Sequence, residues 1–333
     1  MRPEETKAAL SHLVDEKVPL FLWGPPGIGK SSVVRQIAQE KCIGFIDLRL
    51  SLLDPTDLRG IPFFDQESRQ AIWAPPAFLP DGKEEKGILF LDELNTAAPM
   101  VQASAYQLIL DRRIGEYHLP DGWAIVAAGN RESDRGVVYR MPAPLANRFV
   151  HLEMEIDTEQ WRRWAINAGI DASIIGFIGA RPDALFAFDA KSSHRSFATP
   201  RSWEYVDKIL KSTPEPELLM PLISGSIGEE LAAEFLSWRT AAGDLPDLNN
   251  ILEGKDEIIP DDPNALHVLA SMIMQYVTPK TNRETLEHLL NYLMKVPEEF
   301  SVMIVKELQH KGVLLEKADN WKQWVKEFSF LLV

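Results

Sequence analysis

Gly24-Pro25-Pro26-Gly27-Ile28-Gly29-Lys30-Ser31 is the stretch on which the reading of this chain turns. It fits the pattern G-x-x-x-x-G-K-[ST]. The apolar run Val18–Trp23 precedes it, and an amphipathic segment carrying Val33, Val34, Ile37 and Ala38 follows. The pattern therefore stands between a strand and a helix, where its chemistry works. Glycines let successive backbone N–H groups turn inward around an anion. The helix N-terminus adds a partial positive charge, Lys30 a full one, and the Ser31 hydroxyl suits Mg²⁺. Gly24, Pro25, Pro26, Gly27, Ile28, Gly29, Lys30, Ser31 and Ser32 are expected to line the phosphates of a nucleoside triphosphate. The competing reading is a Gly/Pro-rich strand-to-helix turn that binds nothing.

The surrounding composition sets bounds. With 333 residues the chain has room for two or more domains, and 45% hydrophobic and 25% charged residues are ordinary for a globular protein. The formal net charge of -14 argues against a general nucleic-acid surface, which needs clustered Lys and Arg. Cys42 is the single cysteine, so no intramolecular disulfide can form, and it is expected to be a buried small hydrophobe. No apolar leader and no membrane-length apolar run is present, so the expected location is the cytoplasm.

Outward from the loop, residues 3–16 read as a helix, and Val18–Trp23 as a strand covered on both faces. Phe45–Leu50 is a second strand, Gly87–Leu91 a third, Ala124–Ala128 a fourth and Phe149–Met154 a fifth. Asp54–Gly60 is expected to be a polar loop, and 61–74 an inserted β-hairpin. Strands alternating with helices imply an α/β domain over 1–155, with a parallel sheet flanked by helices. Beyond it the pattern is helical, with segments at 201–211, 228–241, 262–277, 282–295, 299–311 and 321–333. Breakers at Pro214–Pro216 and Gly243–Pro246 suggest a helical lid at 156–242 and a C-terminal helical extension at 243–333.

The third strand delivers Asp92 and Glu93 to its C-terminal end, where open α/β sheets bind ligands. Asp92 suits a second Mg²⁺ contact through water, and Glu93 the polarisation of an attacking water. Asn130 ends the fourth strand, where it either orients that water or touches the γ-phosphate, or else caps a turn. Thr199 suits an N-cap and Pro200 the first helical position, which puts Arg201 in a first turn, where a cation opposes the helix dipole. An anion in front of that helix would explain it; an ordinary surface arginine is the alternative. The histidines, among them His118, His151 and His194, show no metal spacing, and the tryptophans at 161, 164, 203, 321 and 324 read as core.

Together Gly24–Ser31, Leu91-Asp92-Glu93-Leu94-Asn95, Asn130 and Met141-Pro142-Ala143-Pro144-Leu145-Ala146-Asn147-Arg148-Phe149 resemble the MoxR group of AAA+ ATPases. The last segment looks like that group's L-P-E-A-x-x-D-R-F stretch, and Asp54–Gly60 like its P-S-D-L-x-G loop. Trp73–Phe78 sits where the family has G-P-I-F. The likeness covers roughly residues 15–155 and continues weakly to Thr199-Pro200-Arg201. It implies a P-loop AAA+ core with a five-stranded parallel sheet and an all-α lid. It further implies ATP with Mg²⁺ held by Ser31 and Asp92, and catalytic roles for Lys30, Asp92, Glu93 and Asn130. Arg148 would be an arginine finger reaching a neighbouring subunit, with Arg140, Arg112 and Arg113 as rivals, and Arg201 the lid arginine. The implied working form is a ring, expected as a hexamer, that remodels a partner protein, with a von Willebrand factor A domain protein as the expected partner. Thr96 and Arg131 depart from the family pattern. The alternatives are a nucleic-acid motor or GTPase on the same core, and a slow regulatory nucleotide switch.

Overall fold

The computed structural model describes residues 1–67, 69–134, 139–188, 195–241, 245–255 and 258–328. They fall into two compact units, Met1–Asp157 and a helical unit that starts at Thr158.

In the first unit the chain runs α1 (Pro3–Asp15), β1 (Leu20–Trp23), α2 (Lys30–Glu40), β2 (Gly44–Arg49), α3 (Pro55–Arg59), β3 (Ile61–Asp65), β4 (Gln70–Ala74) and β5 (Gly87–Asp92). It continues through α4 (Pro99–Asp111), β6 (Arg113–Ile114), β7 (Tyr117–His118), β8 (Trp123–Gly129), α5 (Ala143–Ala146) and β9 (Val150–Glu153). Five strands form one sheet in the order β2-β5-β8-β1-β9, every pairing parallel. All residues of β5 and β8 are buried, which is why these strands read as unbroken apolar runs with no alternation. One face packs Phe21, Leu89, Leu91, Ile125 and Ala127 against Val101, Ala105 and Leu108 of α4. Helices α1 and α2 supply Leu10, Val14, Val34 and Ile37 to the core. Because β1 lies between β8 and β9, its C-terminal end is a switch point of the sheet, the position where such sheets bind ligands.

Local differences from the sequence reading have local causes. β1 begins at Leu20, because Pro19 has no N–H; its carbonyl instead accepts from Val150 N at 2.9 Å. The expected loop at 54–60 contains α3. Asp54 caps it, Asp54 N donates in return to Asp57 Oδ2 at 2.7 Å, and Pro55 opens it. Gly60 ends α3 at φ 85, and a Cβ there would lie 1.9 Å from the Ala74 carbonyl, so only glycine admits the closing of the β3–β4 hairpin. The hairpin itself pairs Ile61 with Ala74 through Asp65 with Gln70. Cys42 is exposed, not buried: it takes φ 52 in the turn that ends α2.

The second unit holds α6 (Thr158–Ala168), α7 (Ala172–Ala180), α8 (Pro200–Lys211), α9 (Pro216–Ile227), α10 (Glu229–Ala241), α11 (Leu248–Leu252), α12 (Pro263–Tyr276), α13 (Arg283–Leu293), α14 (Glu298–His310) and α15 (Trp321–Phe328). Phe177, Trp203, Phe235 and Trp238 meet edge to face or tilted in its centre. Pro216 starts α9 where a breaker was expected, because the first helical position tolerates it. The boundary drawn at 242/243, the end of the helix expected over 321–333, and His194 lie outside the described residues. Helices on both sides of that boundary share one unit, with α12 packed against α7 and α10. Among the described residues no helix is long and apolar enough to cross a membrane.

Candidate functional site

The phosphate loop leaves β1 and turns into α2 at Gly29, which is in the left-handed region at φ 96. A Cβ on Gly29 would meet nothing within 4 Å, so the loop is open on that side. Lys30 is buried, and its Nζ donates to the carbonyls of Gly24 at 2.6 Å and Pro25 at 3.0 Å. It also reaches Asn130 Oδ1 at 3.1 Å. One ammonium thus ties the loop after β1 to the end of β8.

Pairing of β2 with β5 brings Arg49 opposite Asp92. Ser31 Oγ donates to Asp92 Oδ2 at 3.4 Å, and Glu93 N donates to Oδ1 at 2.9 Å. Burial pushes the Asp92 carboxyl above its ordinary value; the Glu93 N–H opposes this, while the charges of Asp47 and Glu93 add to it. Glu93 takes φ 57, a left-handed backbone that turns its side chain off the strand. Its carboxylate accepts a short hydrogen bond from Ser51 Oγ and lies 3.7 Å from Arg49 Nε.

Lys30, Ser31, Asp92, Glu93 and Asn130 are therefore brought together at the C-terminal ends of β1, β5 and β8. They fit Mg²⁺ bound with a triphosphate. Ser31 offers a hydroxyl oxygen and Asp92 a buried carboxylate, and among the described residues no cluster of three or more His, Cys, Asp or Glu could hold a metal by itself.

Of the arginines, Arg148 follows α5, is exposed, and pairs with no carboxylate among the described residues. Arg140 is exposed as well. Arg112 is spent within its own unit: its Nη2 donates to the carbonyls of Pro120 at 2.8 Å and Trp123 at 2.7 Å, anchoring the chain into β8. Arg131 is likewise engaged, with Asp134 and Glu153. Arg201 lies exposed in the first turn of α8, capped by Thr199, with Glu204 one turn on. Burial raises the Glu204 carboxyl, and the charges of Lys208 and Arg201 hold it down, so part of the expected need for an external anion is met internally.

Sequence reasoning gave no role to Ser51 or Arg49, which the sheet order brings to Glu93 from a distant segment, nor to Asn95. His151 proves to be engaged. Its Nδ1 accepts from Trp23 Nε1 at 2.9 Å, and since indole only donates, its Nε2–H donates to Ala146 O at 2.8 Å. This imidazole joins the strand that carries the phosphate loop to the helix that precedes Arg148.

Residues 19–149 match the family model of the AAA domain (dynein-related subfamily). Protein MoxR of Methylorubrum extorquens is 26% identical over 150 residues, 42% of this chain and 40% of that protein. Midasin of Giardia intestinalis is 32% identical over 157 residues, 45% of this chain and 3% of that protein. Among solved structures, a RuvB variant of Thermotoga maritima superposes with TM-score 0.42 at 19% identity, covering 88% of each chain. The chain spans less than half the length of the curated relatives it matches. A phosphate loop on β1, acidic residues on β5 and a polar residue ending β8, in this strand order, make the first unit a P-loop domain of the AAA+ class. Within that class the first unit is similar to MoxR proteins at 26–28% identity.

Proposed function

We propose that this chain hydrolyses ATP with Mg²⁺ and works as a ring, expected as a hexamer, that remodels or matures a partner protein. The observation that carries the hydrolytic reading is the meeting of Lys30, Ser31, Asp92, Glu93 and Asn130 at three adjacent strand ends. Lys30 neutralises phosphate charge from inside the loop. Glu93, one residue past the metal-side carboxylate, accepts the proton of the attacking water as it adds to the γ-phosphorus and the bond to the β–γ bridging oxygen breaks. Asn130 holds that water or a γ-oxygen. The metal ion, held by Ser31 and Asp92, would neutralise charge on the β- and γ-oxygens.

The exposed, unpaired Arg148 supports completion of the site by a neighbouring subunit, where an arginine finger is worth about 10³-fold or more in rate. Arg201 is assigned the corresponding part in the lid. Remodelling and a von Willebrand factor A domain partner rest on likeness to MoxR proteins, and a cytoplasmic location on the sequence reading above. The exposed Ile61, Phe63 and Phe64 of the hairpin are the surface assigned to that partner or client.

Glu93→Gln is expected to bind ATP, to lose turnover and to hold the assembled form on a sizing column. Turnover and mass equal to wild type refute the mechanism. Activity recovered only when Arg148→Ala subunits are mixed with Glu93→Gln subunits supports shared sites; full activity of Arg148→Ala alone removes the finger.

A further inference from the structure

Asn95 lies two residues past Glu93 in the turn that leaves β5, and only 1% of it is exposed. Its Nδ2 donates to the main-chain carbonyl of Asn130 at 2.7 Å, and its own main-chain carbonyl accepts from Tyr139 N at 2.7 Å. Just before it, Leu94 N donates to Ala128 O at 3.0 Å and extends the β5–β8 ladder. The Asn130 carbonyl can only accept, which fixes the orientation of the Asn95 amide. Its Oδ1 then faces Gly129, where it finds no donor among the described residues. A Cβ on residue 129 would stand 2.1 Å from that oxygen, so Gly129 is what lets the amide reach past it to Asn130.

A buried amide with an unpaired oxygen is unfavourable, and an apolar side chain of similar volume would fill the space without that cost. What the amide supplies, and an apolar group would not, is the bond to Asn130. We propose that Asn95 is a positioning residue: its amide sets the Asn130 peptide so that the Asn130 side chain faces Lys30 and the γ-phosphate, while its carbonyl fastens the returning segment at Tyr139, next to Arg140. This inference rests on the ATPase reading above and states what holds Asn130 in that site.

The test is a cycle of wild type, Asn95→Ala, Asn130→Ala and the double variant, each shown to be folded by a melting curve. Steady-state ATP hydrolysis is measured beside the binding of fluorescent ATP and ADP analogues. Positioning lowers kcat by about 10- to 100-fold in Asn95→Ala while both nucleotide Kd values move less than about 3-fold. Acting through Asn130, Asn95→Ala adds no further loss to Asn130→Ala. Unchanged kcat, losses that multiply in the double variant, or equal weakening of both nucleotides overturn the proposal. If Asn95→Ala does not fold, Asn95→Ser, whose hydroxyl stops short of the Asn130 carbonyl, is taken through the same cycle. A wild type with no Glu93-dependent turnover would instead refute the ATPase reading, and this inference with it.

Discussion

Gly29→Ala separates what the phosphate loop does for the fold from what it does for a ligand. At φ 96 and ψ 19 an alanine carries the left-handed penalty of about 1–2 kcal/mol, and since its Cβ would meet nothing within 4 Å, no steric term is added. For a unit of this size that lowers the melting temperature by about 2–8 °C. The same methyl would project into the open side of the loop, which on the proposed function receives phosphate oxygens at its backbone N–H groups. Losing two such charge-assisted bonds costs about 3 kcal/mol or more, which is about 100-fold or more in Kd. Gly115→Ala is the matched control. Gly115 has φ 57 and equally open surroundings, but sits in the β6–β7 turn. It should show the same loss of melting temperature and an unchanged Kd. Differential scanning fluorimetry and titration of a fluorescent ATP analogue read both quantities. If Gly29→Ala binds the analogue like wild type, the loop does not embrace phosphates and the site has been misplaced.

Arg112→Met removes the donor from two carbonyls and should cost about 2–3 kcal/mol in chemical denaturation, without the mixing phenotype expected of an interface arginine. Ser51→Ala frees the Glu93 carboxylate of one charge-assisted hydrogen bond worth about 1.5–3 kcal/mol, so basal phosphate release should rise about 10-fold or more; a fall would show that Ser51 aims Glu93 and does not withhold it. His267 is held below its ordinary value of 6.5 by burial and by the charge of Arg162. The unfolded chain therefore takes up this proton first, and the stability it contributes above pH 6.5 is lost as pH falls through the folded value. Denaturation midpoints measured downward from pH 7.5 should flatten in His267→Gln relative to wild type.

The parts of the fold that read clearly in the sequence are those where local chemistry and burial agree. β5 up to Asp92 and β8 throughout are apolar because both faces are covered, and β1 carries the phosphate loop because a strand must end where Gly24 begins. α3 was legible in principle, since Asp54, Pro55 and Asp57 are a cap, a first-position proline and a capping partner. The sequence pattern reads as a loop because so short a helix has no apolar period to display. Ser51 and Arg49 could not be found this way. Their meeting with Glu93 depends on β2 lying beside β5, a fact of strand order. His151 is silent in the sequence because an isolated histidine carries no spacing signal, and its bond to Trp23 spans two strands paired in space. The exposed Cys42 shows the opposite error: residue type suggested burial, whereas its position in the turn after α2 decided its place.

The electrostatics of the site argue that its residues are arranged for a ligand more than for one another. Burial drives Asp92 toward its neutral form, and nearby Asp47 and Glu93 press the same way; the ordinary remedy, a cation in contact, is not supplied by Lys30 at full strength. The charge of Lys30 holds Asp92 down only in part, and the same ammonium also donates to two main-chain carbonyls and the Asn130 amide oxygen, neutral acceptors weaker than phosphate oxygens would be. Ser31 bridges the gap with a long 3.4 Å bond to Asp92. A dication beside Asp92 and an anion inside the loop would each improve a poor partnership, and they attract each other. The two halves are thus coupled: metal without triphosphate leaves Lys30 as it is, and triphosphate without metal adds negative charge beside three carboxylates. Binding should accordingly favour the metal–nucleotide pair over either component, an expectation that follows from Asp92 and Lys30 before any likeness to other proteins is considered.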